Sequence, residues 1–118
     1  MLTYAKKPDS NVAEIVVDGK ISDAEMDSAI NAMKADLDKG KLRLLEDIRA
    51  FEGMEPAAFF KDPRLGLAMM KGISHVAVVS DAQWLRLLAE TVGRLSPAQI
   101  RVFERARIAE ARTWLETA

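Results

Sequence analysis

The sequence predicts one α/β domain, built on a mixed sheet of four to five strands with about four helices. Two short β-branched runs open the chain, and segments of helical periodicity then alternate with short apolar runs. A length of 118 residues suits one domain, so residues 1–118 are expected to share a single core.

The chain begins with two segments that we expect to pair as antiparallel strands. Residues 2–5 and 12–17 are rich in β-branched and apolar side chains, and a Lys-Lys-Pro-Asp-Ser-Asn turn separates them. The following Asp-Gly-Lys is expected to end the second strand at Val17. Ser22 and Glu25 then have the spacing of a capping box, which predicts a helix that runs to Gly40.

The remainder predicts parallel strands joined by helices. Residues 42–48 are expected to form an inner strand, followed by a loop from Arg49 to Glu55. Pro56 and Pro63 divide the next segment into a one-turn piece and a second helix closed by Gly72.

The last third predicts two more strands and two more helices. Residues 75–80 are apolar on both faces, as in a central parallel strand. Ser80 or Asp81 is expected to cap a helix that ends at Gly93. A short strand over residues 100–103 and a helix over residues 106–115 then complete the predicted order.

Composition excludes several classes of function. Seventeen basic and eighteen acidic residues give a net charge of −1, so no nucleic-acid partner is expected. Without cysteine, disulfides, thiol catalysis and thiolate metal sites are ruled out, and we expect neither a metal nor another cofactor.

The N-terminal residues contain no apolar core of signal-peptide length, and no run approaches the roughly 20 apolar residues of a membrane span. We therefore expect a cytoplasmic protein without a membrane span, for which peripheral membrane contact stays open.

Few side chains could support catalysis, so we expect a protein that is not an enzyme. His75 is the only histidine, and a structural role is favoured because it opens a buried strand. Glu46 and Asp47 occur where parallel strands usually present ligand groups, but neighbouring strand residues point to opposite faces. A solvated strand end is favoured over an acid–base pair.

The least ordinary feature is an aromatic segment after the predicted inner strand. Three of the four phenylalanines occur between residues 51 and 60, among a glycine and a proline. They could form an apolar lid over a pocket at the strand ends, or simply complete the core. The candidate lining residues are Phe51, Met54, Phe59, Phe60, Leu65, Met69, Trp84 and Leu88. The candidate polar mouth consists of Glu46, Asp47 and Arg49.

Several short motifs, in this order and spacing, resemble the SpoIIAA-like family of STAS-type domains over almost the whole chain. They are Asp18-Gly19-Lys20-Ile21, Leu44-Leu45-Glu46-Asp47, Phe51-Glu52-Gly53, His75-Val76-Ala77-Val78-Val79, Trp84 and Glu110-Ala111-Arg112-Thr113-Trp114-Leu115. The family pattern usually has Trp after the Phe-x-Gly element, where this chain has Met54.

The resemblance implies a sheet of four or five strands, helices packed on it, and no catalytic activity. In STAS anti-sigma antagonists a serine after Asp-Leu is phosphorylated, and Arg49 stands at that position here. The family is also similar in shape to lipid-carrying CRAL-TRIO domains, which implies a lipophilic ligand under a movable helix.

Two functions of different class follow from these features. The first is a module that binds a small apolar molecule beneath the segment from Phe51 to Phe60. The second is a STAS-like interaction module that binds a protein partner or a second copy of itself.

Overall fold

The computed structural model describes residues 1–54 and 71–118, with Met54 described by its backbone alone. Over these residues the predicted mixed α/β architecture is confirmed as a five-stranded sheet with three α-helices. The elements are β1 (Leu2–Lys6), β2 (Val12–Ile21), α1 (Asp23–Leu37), β3 (Leu42–Met54), β4 (Ile73–Val79), α2 (Gln83–Leu95), β5 (Gln99–Phe103), a 3₁₀ turn (Arg105–Arg107) and α3 (Ile108–Thr117). The helical pieces predicted between Pro56 and Met70 lie outside the described residues.

The sheet contains its strands in chain order, β1-β2-β3-β4-β5. The pair β1 and β2 is antiparallel, and each later neighbouring pair is parallel. The antiparallel beginning and the parallel continuation are therefore both confirmed.

The two faces of the sheet are covered by different helices. Leu45 points to the face where α3 packs, and it shares a buried cluster there with Ala111 and Leu115. The neighbouring Leu44 points to the opposite face and packs in a cluster with Met33 of α1. Helix α2 lies on this second face, beside β5.

Helix α1 begins with the predicted capping box. The Ser22 hydroxyl accepts a hydrogen bond from the Glu25 amide at 3.1 Å, and the Glu25 carboxylate accepts one from the Ser22 amide at 3.1 Å. Such a cap stabilises a helix by about 1 kcal/mol. Glu25 also accepts the Leu2 amide at 2.7 Å, which ties the start of α1 to the edge strand β1.

Two strands extend beyond their predicted ends. The predictions that β2 ends at Val17 and that a loop begins at Arg49 are wrong, because the two strands continue to pair up to Ile21 and Met54. The pairing register shifts at two irregularities in this stretch. Gly19 has a φ of 83°, a left-handed value that glycine adopts without strain, so here glycine continues a bulged strand instead of ending it.

Helix α2 differs from its prediction at both ends. Its N-cap is Ala82, which makes no side-chain cap, so neither Ser80 nor Asp81 caps it as predicted. The Ser80 hydroxyl instead accepts the Ala82 amide at 3.1 Å, and Asp81 accepts the Arg105 amide at 3.0 Å. The helix also continues past Gly93 to Leu95, so Gly93 lies inside the helix and does not end it.

Gly93 determines how closely α2 can approach the sheet. A Cβ atom at this position would lie 3.2 Å from the Ile100 Cβ on β5, which is tighter than ordinary packing. The absence of a side chain therefore allows α2 to rest on β5. No residue of α2 is buried, so its inward side is not packed against the central strands as a core helix would be.

Candidate functional site

An apolar cavity of about 310 Å³ lies between α2 and the middle of the sheet, and we call it the central cavity. Its sheet side consists of Leu44, Glu46, Ile48, Ile73, Val76 and Val78. Its helix side consists of Leu85, Leu88, Ala89 and Val92, and Ser96, Ala98 and Ile100 complete the described lining. Glu46 is the one ionisable side chain among these described lining residues.

Strand geometry explains why these residues share one face. Leu44, Glu46 and Ile48 alternate along β3, so their side chains point the same way. A register irregularity beside Leu42 places one extra residue on β4, which brings Ile73 to the same face as Val76. On α2 the four lining positions have the spacing i, i+3, i+4 and i+7, which is one helical face.

The Glu46 carboxyl has apolar neighbours among the described residues. It forms no hydrogen bond or ion pair with the described residues, and its register neighbours are Ile15 on β2 and Val78 on β4. The side chain keeps some accessible surface because it borders the cavity. Burial nevertheless raises its pKa above the ordinary value of 4.5, since an apolar environment disfavours the charged form.

This raised pKa predicts how stability depends on pH. In the unfolded chain Glu46 ionises near 4.5, whereas the folded protein retains the proton to higher pH. The neutral carboxyl therefore contributes its full stability at pH values below 4.5, and the protein loses this contribution as the pH rises through the folded pKa. Glu46→Gln does not titrate, so thermal unfolding should show a stabilisation over wild type that grows from acidic to neutral pH.

Glu90→Gln, on the exposed side of α2, is the matched control for that experiment. It removes one carboxylate near the same cavity but should leave the pH profile of wild type unchanged. A constant difference between Glu46→Gln and wild type at all pH values would contradict the raised pKa.

Asp47 lies on the opposite face of β3 from Glu46, as strand alternation predicted. Its carboxylate is 2% exposed and accepts hydrogen bonds from Arg49 Nε at 3.1 Å and Arg105 Nε at 3.2 Å. Both residues lie inside β3 and not at its end, although the pairing of β3 with β4 stops at Asp47 and Val79. The three predicted mouth residues therefore do not form one group: Glu46 faces the central cavity, and Asp47 joins Arg49 to Arg105.

The predicted aromatic lining is only partly described. Leu88 borders the central cavity and is 53% exposed, whereas Trp84 borders a smaller cavity of about 80 Å³ together with Phe51 and Arg49. The centroids of the Phe51 and Trp84 rings lie 6.0 Å apart. Phe51 belongs to β3 and not to a loop. The side chain of Met54, and all of Phe59, Phe60, Leu65 and Met69, lie outside the described residues.

The remaining candidate for chemistry, His75, is engaged with its neighbours. Its Nδ1 lies 2.8 Å from the Ser74 hydroxyl, and its ring packs on Trp114 with the centroids 5.6 Å apart. Burial and the nearby Arg43 both lower its pKa. These contacts are those of a structural histidine.

Sequence reasoning missed most of the cavity wall. Leu85, Ala89 and Val92 could have been found from the helical spacing that they share with Leu88. The β4 residues Val76 and Val78 gave no such signal, because residues 76–79 are all apolar and periodicity does not distinguish their faces.

Membrane-spanning helices and metal sites are two further features that a functional site can require. None of the helices in residues 1–54 and 71–118 is long and apolar enough to cross a bilayer. The part of the chain that the structure describes holds no group of three His, Cys, Asp or Glu side chains arranged to bind a metal ion.

Comparison with known proteins identifies the family. The SpoIIAA-like family model matches residues 12–116. A solved structure of an uncharacterized protein of the DUF3478 family, with a SpoIIAA-like fold, from Shewanella loihica PV-4 is 19% identical, with a TM-score of 0.77 over 98% of this chain and 92% of that one. No curated protein matches the sequence. The family model covers most of the chain and the similar structure has the same type of fold, so the chain belongs to the SpoIIAA-like proteins.

Proposed function

We propose that this protein is a cytoplasmic, non-enzymatic binding module that holds a small lipophilic molecule in the central cavity. The observation that carries the proposal is the cavity itself, whose walls on β3, β4 and α2 are apolar apart from one carboxyl. Its volume of about 310 Å³ falls at the lower end of the range of roughly 300–1,000 Å³ for small-molecule pockets. A ligand of one short chain or one ring system suits that size.

Packing supports the same proposal. Protein interiors rarely leave voids much larger than a water molecule, because unfilled apolar surface loses both dispersion contacts and burial. Leu88 and Val92 remain 53% and 40% exposed beside the cavity. An apolar ligand would cover such side chains and gain roughly 25 cal/mol for each Å² removed from water.

The family relationship supports the proposal by analogy. The resemblance of the sequence motifs to SpoIIAA-like domains implies a shape similar to that of the lipid-carrying CRAL-TRIO domains. A shared shape does not establish a shared ligand. The experiment must therefore test the cavity directly.

Filling the cavity is expected to abolish uptake of an apolar probe. Ala89→Phe places a ring in the space that a ligand would occupy, and binding of the neutral dye N-phenyl-1-naphthylamine should weaken by at least about tenfold, or 1.4 kcal/mol. Titration of the dye with fluorescence detection measures this. Native mass spectrometry before and after organic extraction would reveal any apolar molecule that copurifies.

Thr91→Phe is the control variant, because Thr91 lies on the same helix but is exposed and outside the cavity lining. It should bind the dye within about twofold of wild type. Equal dye binding by both phenylalanine variants would contradict the proposed site.

The second candidate function is protein interaction, and the exposed apolar side chains of α2 favour it. Five large apolar side chains on this helix are exposed: Trp84, Leu87, Leu88, Val92 and Leu95. Exposed apolar patches of this kind often mark interfaces, either with another protein or with a second copy of the chain. A molecular mass that increases with protein concentration, and that organic extraction does not alter, would favour this function over ligand binding.

A further inference from the structure

We propose that Glu46 determines the ligand specificity of the central cavity, and that the ligand is an apolar molecule with one hydrogen-bond-donating head group, an amine in preference to an alcohol. The inference rests on the proposed function and specifies its ligand class. Glu46 is a specificity-determining residue here, and no catalytic role is implied.

The position of Glu46 is the first argument. It lies in the cavity wall between Leu44 and Ile48, and its neighbours in the sheet register are Ile15 and Val78. Every adjoining wall position among the described residues is apolar, so a hydrophobic side chain would satisfy packing at residue 46 equally well. A carboxyl at this position therefore costs stability unless it has a binding partner.

Charge around the cavity is the second argument. No charged side chain from β4, α2 or β5 belongs to the described lining. His75 lies on the other face of β4, where it contacts Trp114, and Asp47 is held by two arginines on the α3 side of the sheet. Among the described lining residues, Glu46 is thus the ionisable group that a ligand in this cavity would meet.

Head-group chemistry follows from these two arguments. A protonated amine would pair with the Glu46 carboxylate in an environment where water screens the pair weakly, and a charge-assisted hydrogen bond would form. An alcohol could form a neutral hydrogen bond. A carboxylate would bring a negative charge into an apolar space whose described lining contains no cation to pair with it, so the cavity should discriminate against fatty-acid head groups.

Binding of an amine should also change the protonation of Glu46, which binding of an alcohol would not. Burial favours the protonated form of Glu46 in the unliganded protein. At a pH where the unliganded carboxyl still holds its proton, it ionises when an alkylammonium binds, and that proton passes to the buffer. Binding of an amine should therefore release up to one proton, whereas binding of an alcohol should release none.

The test compares decylamine, 1-decanol and decanoate, which share one apolar chain. Displacement of N-phenyl-1-naphthylamine at neutral pH should show decylamine binding at least about tenfold more tightly than decanoate. Calorimetry in buffers of different ionisation enthalpy measures the proton release. Glu46→Gln should reduce the amine preference to about threefold or less and abolish proton release, and saturable dye binding by the variant shows that it retains the cavity.

Two further variants complete the design. Glu90→Gln makes the same change of charge on the exposed side of α2 and should behave as wild type. Glu46→Met keeps the side-chain length without the carboxyl, so it should bind the dye and lose the amine preference even if the glutamine variant is poorly folded.

Each outcome is decisive. Dye binding with no preference for decylamine, or a preference that Glu46→Gln retains, would overturn the role of Glu46 and leave the proposed function intact. Absence of saturable dye binding to wild type would reject both the binding function and this specificity.

Discussion

Replacing Asp47 with alanine is expected to lower the free energy of unfolding by about 3 kcal/mol. The variant removes a buried carboxylate that accepts two charge-assisted hydrogen bonds, from Arg49 at 3.1 Å and from Arg105 at 3.2 Å. The loss stays near this magnitude because both guanidinium groups are partly exposed and water can hydrate them once Asp47 is removed. Equilibrium unfolding in denaturant measures the change.

Arg107→Ala is the matched control, since Arg107 belongs to the same 3₁₀ turn as Arg105. Its ion pair with Glu110 is short, at 2.6 Å, but both side chains are mostly exposed. An exposed pair of this kind contributes little to stability, because water screens both charges. Similar losses for Asp47→Ala and Arg107→Ala would show that burial of Asp47 does not strengthen its two contacts.

Replacing Leu115 with alanine is expected to cost about 2–5 kcal/mol. Leu115 is fully buried where α3 packs on the sheet, in the cluster that contains Leu45 and Ala77. The neighbouring backbone cannot collapse easily into the space, because the Leu115 carbonyl accepts a hydrogen bond from Arg43 at 2.6 Å. Thermal and denaturant unfolding should both report the loss.

Leu95→Ala makes the same chemical change at a side chain that is 85% exposed, at the last position of α2. Its effect on stability should stay within about 0.5 kcal/mol. If Leu115→Ala costs no more than Leu95→Ala, the α3 face does not form the main core of the protein.

Most of the fold could be predicted because its signals are local. The β-branched runs located the strands, and the Ser22 capping box placed the start of α1. The ends of β2 and β3 could not be predicted because they depend on each other: each strand continues only where the other continues to pair with it. In the sequence alone, a glycine such as Gly19 indicates a turn. Only the pairing of β2 with β3 shows that it belongs to a β-bulge.

The site was less predictable because its parts come from distant segments. Strand alternation correctly separated Glu46 from Asp47, but nothing local indicated that Arg105 would bind Asp47 from 58 residues away. Trp84 was predicted to line the pocket because it lies one helical turn from Leu88, but it borders the smaller cavity beside Phe51 instead. The aromatic residues beyond Met54 stay predictions.

The order of the strands has a consequence for biosynthesis. Since each strand pairs with the one made just before it, the sheet can grow from its N-terminal side during translation, with no strand inserted between two earlier ones. Until β5 and α3 emerge from the ribosome, β4 is an unprotected edge with apolar side chains on both faces. That stage is when the nascent chain is most vulnerable to aggregation, and chaperone protection would matter most then.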